Sequence, residues 1–141
     1  MLLLQQLGVA FLPVTLTLWL ECGGIAWLIT WTRRAVAGDL HKLGPFRSAA
    51  LVVRVTTSVI ALHGLQVLVW AGCYRWICLP SWEFALYFSA TSYTTVGYGD
   101  IILPSNWRML GPIESLLGIL MCGLSVSLLF AITTRLVGSE R

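Results

Sequence analysis

Apolar residues fill three long stretches of the chain, and polar residues gather in the segments between them. The apolar stretches run over about residues 7–30, 49–70 and 109–133. Each is at least about 20 residues long, and a helix of that length, rising about 1.5 Å per residue, crosses a hydrocarbon core about 30 Å thick. The pattern therefore predicts an all-α protein with three transmembrane helices.

A fourth, shorter segment lies between the second and third stretches. It begins after Pro80 and Ser81, is predicted to be helical to about Tyr93, and is too short and too rich in hydroxyl groups to span a membrane. Ser81 suits the N-cap of such a helix, and Glu83 suits its first turn, where the helix dipole favours negative charge. We expect a re-entrant helix surrounded by protein, since non-helical backbone beside it is not tolerated against lipid.

The amino-acid composition agrees with a membrane location. Of the 141 residues, 57% are hydrophobic and 11% are charged, whereas soluble domains have roughly 25% charged residues. The net charge is +3, but the basic residues follow the predicted topology and form no patch of the kind that binds nucleic acid. We predict an integral membrane protein that contacts the lipid bilayer and binds no nucleic acid. No nucleophile–base pair or phosphate-binding loop indicates an enzyme.

The basic residues predict the orientation of the spans. No Lys or Arg precedes Arg33, and only Arg75 and Arg108 fall between the second and third spans. The basic residues on the other side are Arg33, Arg34, Lys42, Arg47, Arg54, Arg135 and Arg141. Because cytoplasmic loops carry the excess of Lys and Arg, the first loop and the C-terminus are predicted to be cytoplasmic and the N-terminus external.

Tryptophans agree with this orientation, because their rings favour membrane interfaces. Trp27 and Trp31 are predicted to mark the inner interface. The predicted outer interface carries Trp70, Trp76, Trp82 and Trp107.

Residues 94–100 read Thr-Thr-Val-Gly-Tyr-Gly-Asp and directly follow the short helix. A row of backbone carbonyls can replace the water shell of an ion. Several consecutive carbonyls face one axis only if alternate residues adopt dihedrals that side chains disfavour. Gly97 and Gly99 provide such positions, because glycine enters positive φ at little cost. A simple glycine-rich turn is the alternative.

This string resembles the selectivity filter of potassium channels. Residues 49–133 as a whole are similar to the bacterial two-span ion-channel family, with an outer helix, a pore helix, the filter and an inner helix. The resemblance implies a homotetramer, since one chain supplies one wall of a central pore, and passive potassium-selective conduction with no cofactor besides potassium. It divides the chain into residues 1–48, an extra helix and a basic cytoplasmic loop, and residues 49–141, the pore domain. The implied location is a bacterial inner membrane.

The resemblance also implies roles for single residues. The ion-binding residues are Thr95, Val96, Gly97, Tyr98 and Gly99. Potassium would bind at the first four of these, with the Thr95 hydroxyl at the innermost site. Val96 and Tyr98 would point away from the pore axis, into the packing behind the filter.

Four further residues are candidates for filter support. Tyr87 and Phe88 resemble an aromatic pair that forms a cuff around the filter, although ordinary core aromatics are an equal alternative from the residues alone. Thr91 falls where some channels place a buried glutamate, and its hydroxyl could bond to Asp100. Asp100 itself would be held by a hydrogen bond behind the outer mouth, or would face the vestibule as a cation-attracting ring.

The third span contains a candidate hinge and cavity lining. Gly123 lies where an inner-helix hinge is expected, but it could equally allow close helix packing. Ser127 and Ala131 follow at helical spacing and are predicted to line the inner cavity. Pro112 suits the first turn of this helix, and Glu114 suits its positive dipole end or could stabilise the pore helix from behind.

Two ionisable residues lie inside the first two spans, where charge is a candidate for function. Glu21 and His63 are at similar depth, so a direct hydrogen bond between them is predicted, with a reach from Arg54 as a second possibility. A structural pair is favoured over proton sensing, and His63 is the candidate for direct pH gating. No span carries arginine at every third position, so no voltage sensor of the usual kind is predicted.

The four cysteines are Cys22, Cys73, Cys78 and Cys122. Cys22 and Cys122 are predicted to be small packing residues inside spans. A disulfide between Cys73 and Cys78 is conceivable in an external loop, and none of the cysteines has zinc-like spacing with histidines. The alternatives to a potassium channel are a poorly selective cation channel and a non-conducting membrane partner subunit.

Overall fold

The computed structural model describes residues 2–35 and 44–138, which form four α-helices. These are α1 (Leu2–Ala35), α2 (Pro45–Ile77), α3 (Trp82–Tyr93) and α4 (Leu110–Gly138), with a short 3-10 turn over Ser105–Trp107 before α4. Helices α1, α2 and α4 are long and apolar enough to cross a membrane. The described part of the chain is therefore all-helical, and the protein is integral to the membrane, as predicted. Lys42 and Arg141 of the predicted charge pattern lie outside the described residues.

The helices extend beyond the predicted apolar spans, because a helix continues past the hydrocarbon core wherever its backbone bonds can form. The start of α3 matches the prediction: Ser81 is its N-cap and accepts a 3.3 Å hydrogen bond from the Phe84 amide, and Glu83 lies in the first turn. Helix α4 begins at Leu110, which puts Glu114 beyond the first turn. The prediction that Glu114 lies at the positive end of the α4 helix dipole is therefore wrong.

Helix α3 packs against both α2 and α4. The main core forms where these helices meet and includes the fully buried residues Trp70, Tyr74, Ala85 and Leu110. Trp70 had been expected at the outer interface, but its indole N–H donates a 3.1 Å hydrogen bond to Thr17 of α1. A buried indole needs such a partner, and the bond joins α2 to α1. Trp76, by contrast, is 83% exposed.

Helix α1 packs against α2 and α4 of its own chain. Near its N-terminal end, Gln6 Oε1 accepts a 2.9 Å hydrogen bond from the Met109 amide, just before α4 begins. Farther along, a methyl group added to Gly24 would lie 2.6 Å from a Leu62 methyl carbon of α2. Helix α1 is therefore built into the bundle.

Helix α4 reaches the end of α3 through Gly118. A methyl group added to this buried glycine would overlap the carbonyl oxygen of Tyr93. The space cannot be provided by a side-chain rotation, because the neighbouring atoms belong to the backbone. Gly118 thus permits a helix–helix approach of the kind that small residues allow in membranes.

We predict that Gly118→Ala destabilises the protein by about 1–3 kcal/mol, the usual cost of overpacking. Thermal unfolding of the purified protein in detergent measures this. Gly64→Ala is the matched control, because no other part of the described chain comes within 4 Å of a methyl group added there and alanine favours helix over glycine. Equal melting temperatures for Gly118→Ala and the wild type would contradict the close approach.

Candidate functional site

The segment after α3 has a regular alternation of backbone conformation. The φ angles are +62° at Thr95, +50° at Gly97 and +79° at Gly99, and these are the only positive φ angles among the described residues. The expectation for the two glycines is confirmed. Thr95 was missed, because a β-branched residue rarely adopts positive φ; its place two residues before Gly97 in the same alternation is the signal that could have found it.

The segment is attached to the last turn of α3 through its backbone. The Thr95 amide donates to the Ser92 carbonyl at 2.9 Å, and the Gly97 amide donates to the Thr91 carbonyl at 3.1 Å. Ser115 of α4 donates its hydroxyl to the same Ser92 carbonyl at 2.7 Å. The position of residues 95–97 therefore follows from the position of the end of α3.

The C-terminal end of the segment is held by Tyr87. Its hydroxyl donates a 2.8 Å hydrogen bond to Asp100 Oδ2, while Asp100 Oδ1 accepts from the Ile101 amide at 3.1 Å. The Tyr87 and Tyr98 rings stack, with centroids 6.5 Å apart. The bond to Asp100 raises the pKa of the Tyr87 hydroxyl above its ordinary value, so this group keeps its proton at neutral pH and remains a donor.

The predicted hydrogen bond between Thr91 and Asp100 is wrong. The Thr91 hydroxyl donates instead to the carbonyls of Tyr87 and Phe88 in its own helix, each at 3.0 Å. A short threonine side chain in a helix reaches the carbonyls three and four residues earlier, whereas the longer Tyr87 side chain reaches Asp100. Thr91 supports the segment through its backbone carbonyl.

The predicted aromatic pair divides between two environments. Tyr87 contacts the segment, but the Phe88 ring packs edge-on against Tyr74 of α2, with centroids 4.9 Å apart. Phe88 is also 3.3 Å from the position of a methyl group added to Gly111 of α4. Neighbouring residues of a helix differ by about 100° in direction, so Phe88 is mainly a core residue. It also lines an open cavity of about 540 Å³ beside Thr95.

Two apolar side chains of the segment have little cover within one chain. Val96 is 51% exposed and Tyr98 is 73% exposed. Val96 and Tyr98 were predicted to pack behind the segment, but within this chain Tyr98 stacks on Tyr87 and both side chains stay largely exposed.

Glu114 joins three helices from a fully buried position. Its carboxylate accepts hydrogen bonds from the Tyr74 hydroxyl of α2 at 2.7 Å and from the Ser89 hydroxyl of α3 at 2.5 Å. A buried carboxylate needs such donors to offset its lost hydration. The prediction that Glu114 supports α3 from behind is confirmed, but Tyr74 and Ser89 were not identified from the sequence.

The predicted direct bond between Glu21 and His63 is wrong. Glu21 is fully buried and accepts from Gln66 Nε2 at 2.7 Å and from the Ser125 hydroxyl at 2.7 Å. His63 lies nearly one turn earlier on α2, where its Nδ1 is 2.8 Å from the Tyr93 hydroxyl. The predicted reach from Arg54 is also wrong, since Arg54 lines a surface cavity with Trp27 and Trp31.

The candidate hinge and cavity residues are exposed within the single chain. No other part of the described chain comes within 4 Å of a methyl group added to Gly123. Within this chain, the glycine of α4 that packs closely against α3 is therefore Gly118 and not Gly123. Ser127 donates its hydroxyl to the Leu124 carbonyl at 2.7 Å. Ala131 lines a cavity between α1, α2 and α4. Hinge motion at Gly123 and a pore cavity lined by Ser127 and Ala131 stay predictions.

All four cysteines are free thiols. The conceivable Cys73–Cys78 disulfide is absent from the structure, and both residues are half-buried. Burial raises the pKa of the Cys78 thiol. Cys22 and Cys122 lie in α1 and α4, inside the predicted spans, and are exposed on the single chain.

Comparison with known proteins gives a family match for the second half of the chain. A family model described as an ion channel matches residues 62–135, just over half of the 141 residues. The match runs from the middle of α2 through α3 and the following segment into the last turn of α4, and it leaves out α1. Neither the comparison with curated proteins nor that with solved structures gives a match.

We predict that Tyr87→Phe loosens the C-terminal end of the segment, because Asp100 loses its side-chain donor. Hydrogen–deuterium exchange of the Ile101 amide should become faster, since that amide is bonded to the same carboxylate. Thr91→Val is the matched control, because its hydroxyl bonds only within α3. Faster exchange in Thr91→Val with no change in Tyr87→Phe would restore Thr91 as the partner of Asp100.

Proposed function

Because the chain belongs to the ion-channel family, we propose that it is a potassium-selective channel. Its conduction path is lined by residues 95–99 of four identical chains. Potassium binds at Thr95, Val96, Gly97 and Tyr98, and moves passively down its gradient.

The observation that carries this proposal is the alternation of φ at Thr95, Gly97 and Gly99. Where residues of positive and negative φ alternate, successive carbonyls can turn to the same side of the chain. Rings of carbonyls can replace the hydration shell of potassium. A glycine-rich turn does not need this alternation over five residues, and positive φ in threonine is costly unless the surroundings hold it.

The polarity of α3 favours a cation at the same place. The C-terminal end of this helix precedes Thr95, and the C-terminus of a helix carries a partial negative charge. Glu114 and Asp100 add acidic groups beside α3, where they accept hydrogen bonds from Ser89 and Tyr87 of that helix.

The exposure of apolar residues supports assembly around a pore. Tyr98 and Val96 lack cover in one chain, and α4 also exposes a row of large apolar residues. Those residues are Leu116, Ile119, Leu120 and Leu124. Closed rotational symmetry is the usual form of a homo-oligomer, and in a homotetramer these faces meet the neighbouring chains.

The filter opens to the outside in the proposed orientation. The basic residues Arg33, Arg34, Arg47 and Arg135 support a cytoplasmic α1–α2 loop and a cytoplasmic end of α4, because cytoplasmic loops carry the excess of Lys and Arg. The proposed membrane is the bacterial inner membrane.

We predict that the purified protein in liposomes passes potassium in preference to sodium, and that Gly97→Ala abolishes selective flux. A side chain at Gly97 penalises the positive φ that this residue adopts. Gly64→Ala serves as control, because it adds the same methyl group at a position with open space.

Potassium flux at an unchanged ion ratio in Gly97→Ala would contradict the filter assignment. Equal flux of the two ions through the wild type would indicate a poorly selective cation channel. A wild type without flux would indicate a non-conducting partner subunit.

We also predict an external N-terminus. An epitope inserted before Leu7 should bind antibody on intact cells, and the same epitope inserted among residues 36–43 should bind only after permeabilisation. The opposite pattern would reverse the proposed orientation.

A further inference from the structure

Glu21 of α1 is connected to the end of α3 by continuous buried hydrogen bonds. Its carboxylate accepts from Gln66 Nε2, and Gln66 Oε1 accepts from the Tyr93 hydroxyl. His63 Nδ1 lies against the same hydroxyl, and Ser125 of α4 donates to the second carboxylate oxygen of Glu21. We call these five residues the Glu21 network. It joins all four helices.

The donors and acceptors of the Glu21 network can be ordered in one direction. Because the Gln66 amide nitrogen donates to Glu21, the Gln66 oxygen faces Tyr93 and must accept its single hydroxyl proton. His63 Nδ1 must then carry a hydrogen and donate to the Tyr93 oxygen, since the hydroxyl has no second proton to give. The chain from His63 and the bond from Ser125 therefore both end on Glu21. A carboxylate suits this place because it only accepts hydrogen bonds and has room for both donors.

Tyr93 brings the Glu21 network next to the proposed filter. It is the last residue of α3, two residues before Thr95, and its side chain is 2% exposed. Its carbonyl oxygen lies directly against Gly118 of α4. A displacement of Tyr93 would therefore move the carbonyls of Thr91 and Ser92, which accept from the Gly97 and Thr95 amides.

Attachment of α1 to the bundle does not by itself account for a carboxylate at this position. Gln6 already binds the Met109 amide, and Thr17 already binds the Trp70 indole. Both contacts are between neutral groups. A carboxylate buried in a membrane is expensive and is a candidate for function. Glu21 also differs from Gln6 and Thr17 because its hydrogen bonds continue through Gln66 to Tyr93 of α3.

We propose that Glu21 is a positioning residue for conduction, holding Tyr93 through Gln66 and holding α4 through Ser125. The inference rests on the proposed function, in which residues 95–99 line the ion path. It gives α1, which lies outside the family match, a part in keeping the filter in its conducting form. When the Glu21 network is broken, the end of α3 loses its lateral support and the conducting form becomes less populated.

Single-channel recording in symmetrical potassium tests this inference with two variants that break the network, Glu21→Leu and Gln66→Leu. Each should lower the ratio of open to closed channel by about fivefold, the factor that corresponds to a net contribution of about 1 kcal/mol from one hydrogen bond. Glu21→Gln should lower the ratio less than Glu21→Leu does, because its amide oxygen can still accept from Gln66 while the Ser125 hydroxyl loses its carboxylate acceptor.

Thr17→Val is the matched control, since it removes a buried hydrogen bond between α1 and α2 that lies outside the network. It should lower the melting temperature without changing the open–closed ratio. If the leucine variants do not fold, Tyr93→Phe tests the inference in their place, because it removes only the hydroxyl and keeps the ring. Its open–closed ratio should fall by the same factor.

The two claims fail in different ways. Wild-type protein that does not prefer potassium overturns the proposed function and this inference with it. If the wild type prefers potassium and the network variants have the same open–closed ratio as the wild type, only this inference is overturned. An equal shift in Thr17→Val also overturns it, because attachment of α1 would then be the whole effect.

Discussion

The structure depends on one constraint: non-helical backbone at membrane depth must find its hydrogen-bond partners in protein. In the proposed channel, residues 94–100 are such a backbone, and the end of α3 provides acceptors through the carbonyls of Thr91 and Ser92. Helix α3 must in turn be enclosed by longer helices. Gly118 lets α4 come close enough to do this. The geometry of the segment is thus set by the contacts of the short helix that precedes it.

Two buried carboxylates stabilise that enclosure. Glu114 receives hydroxyl groups from α2 and α3, and Glu21 receives an amide from α2 and a hydroxyl from α4. A carboxylate away from water is costly unless it is hydrogen-bonded, so each requires the donor-bearing helices to stay together. Removing one donor leaves a buried acceptor unsatisfied, which costs more than the bond contributes. The apolar surfaces alone would not set the helix rotations so closely.

Much of this arrangement could be predicted because it depends on local sequence. Long apolar runs indicated the three spanning helices, Ser81 indicated the start of α3, and the two glycines indicated positive φ. Residue partners depend instead on how each helix is rotated against the others. Gln66 takes the place that His63 was expected to hold beside Glu21, although the two lie less than one turn apart on α2. Trp70 faces Thr17 for the same reason.

The central claim is that residues 95–99 form a path that prefers potassium. The reversal potential of the wild-type protein in a planar bilayer, with potassium on one side and sodium on the other, tests it most directly. We expect a reversal potential far from zero, with the sign given by potassium leaving its own side. A reversal potential near zero in a conducting protein would contradict the account, because a carbonyl-lined path of this geometry should discriminate between the two ions.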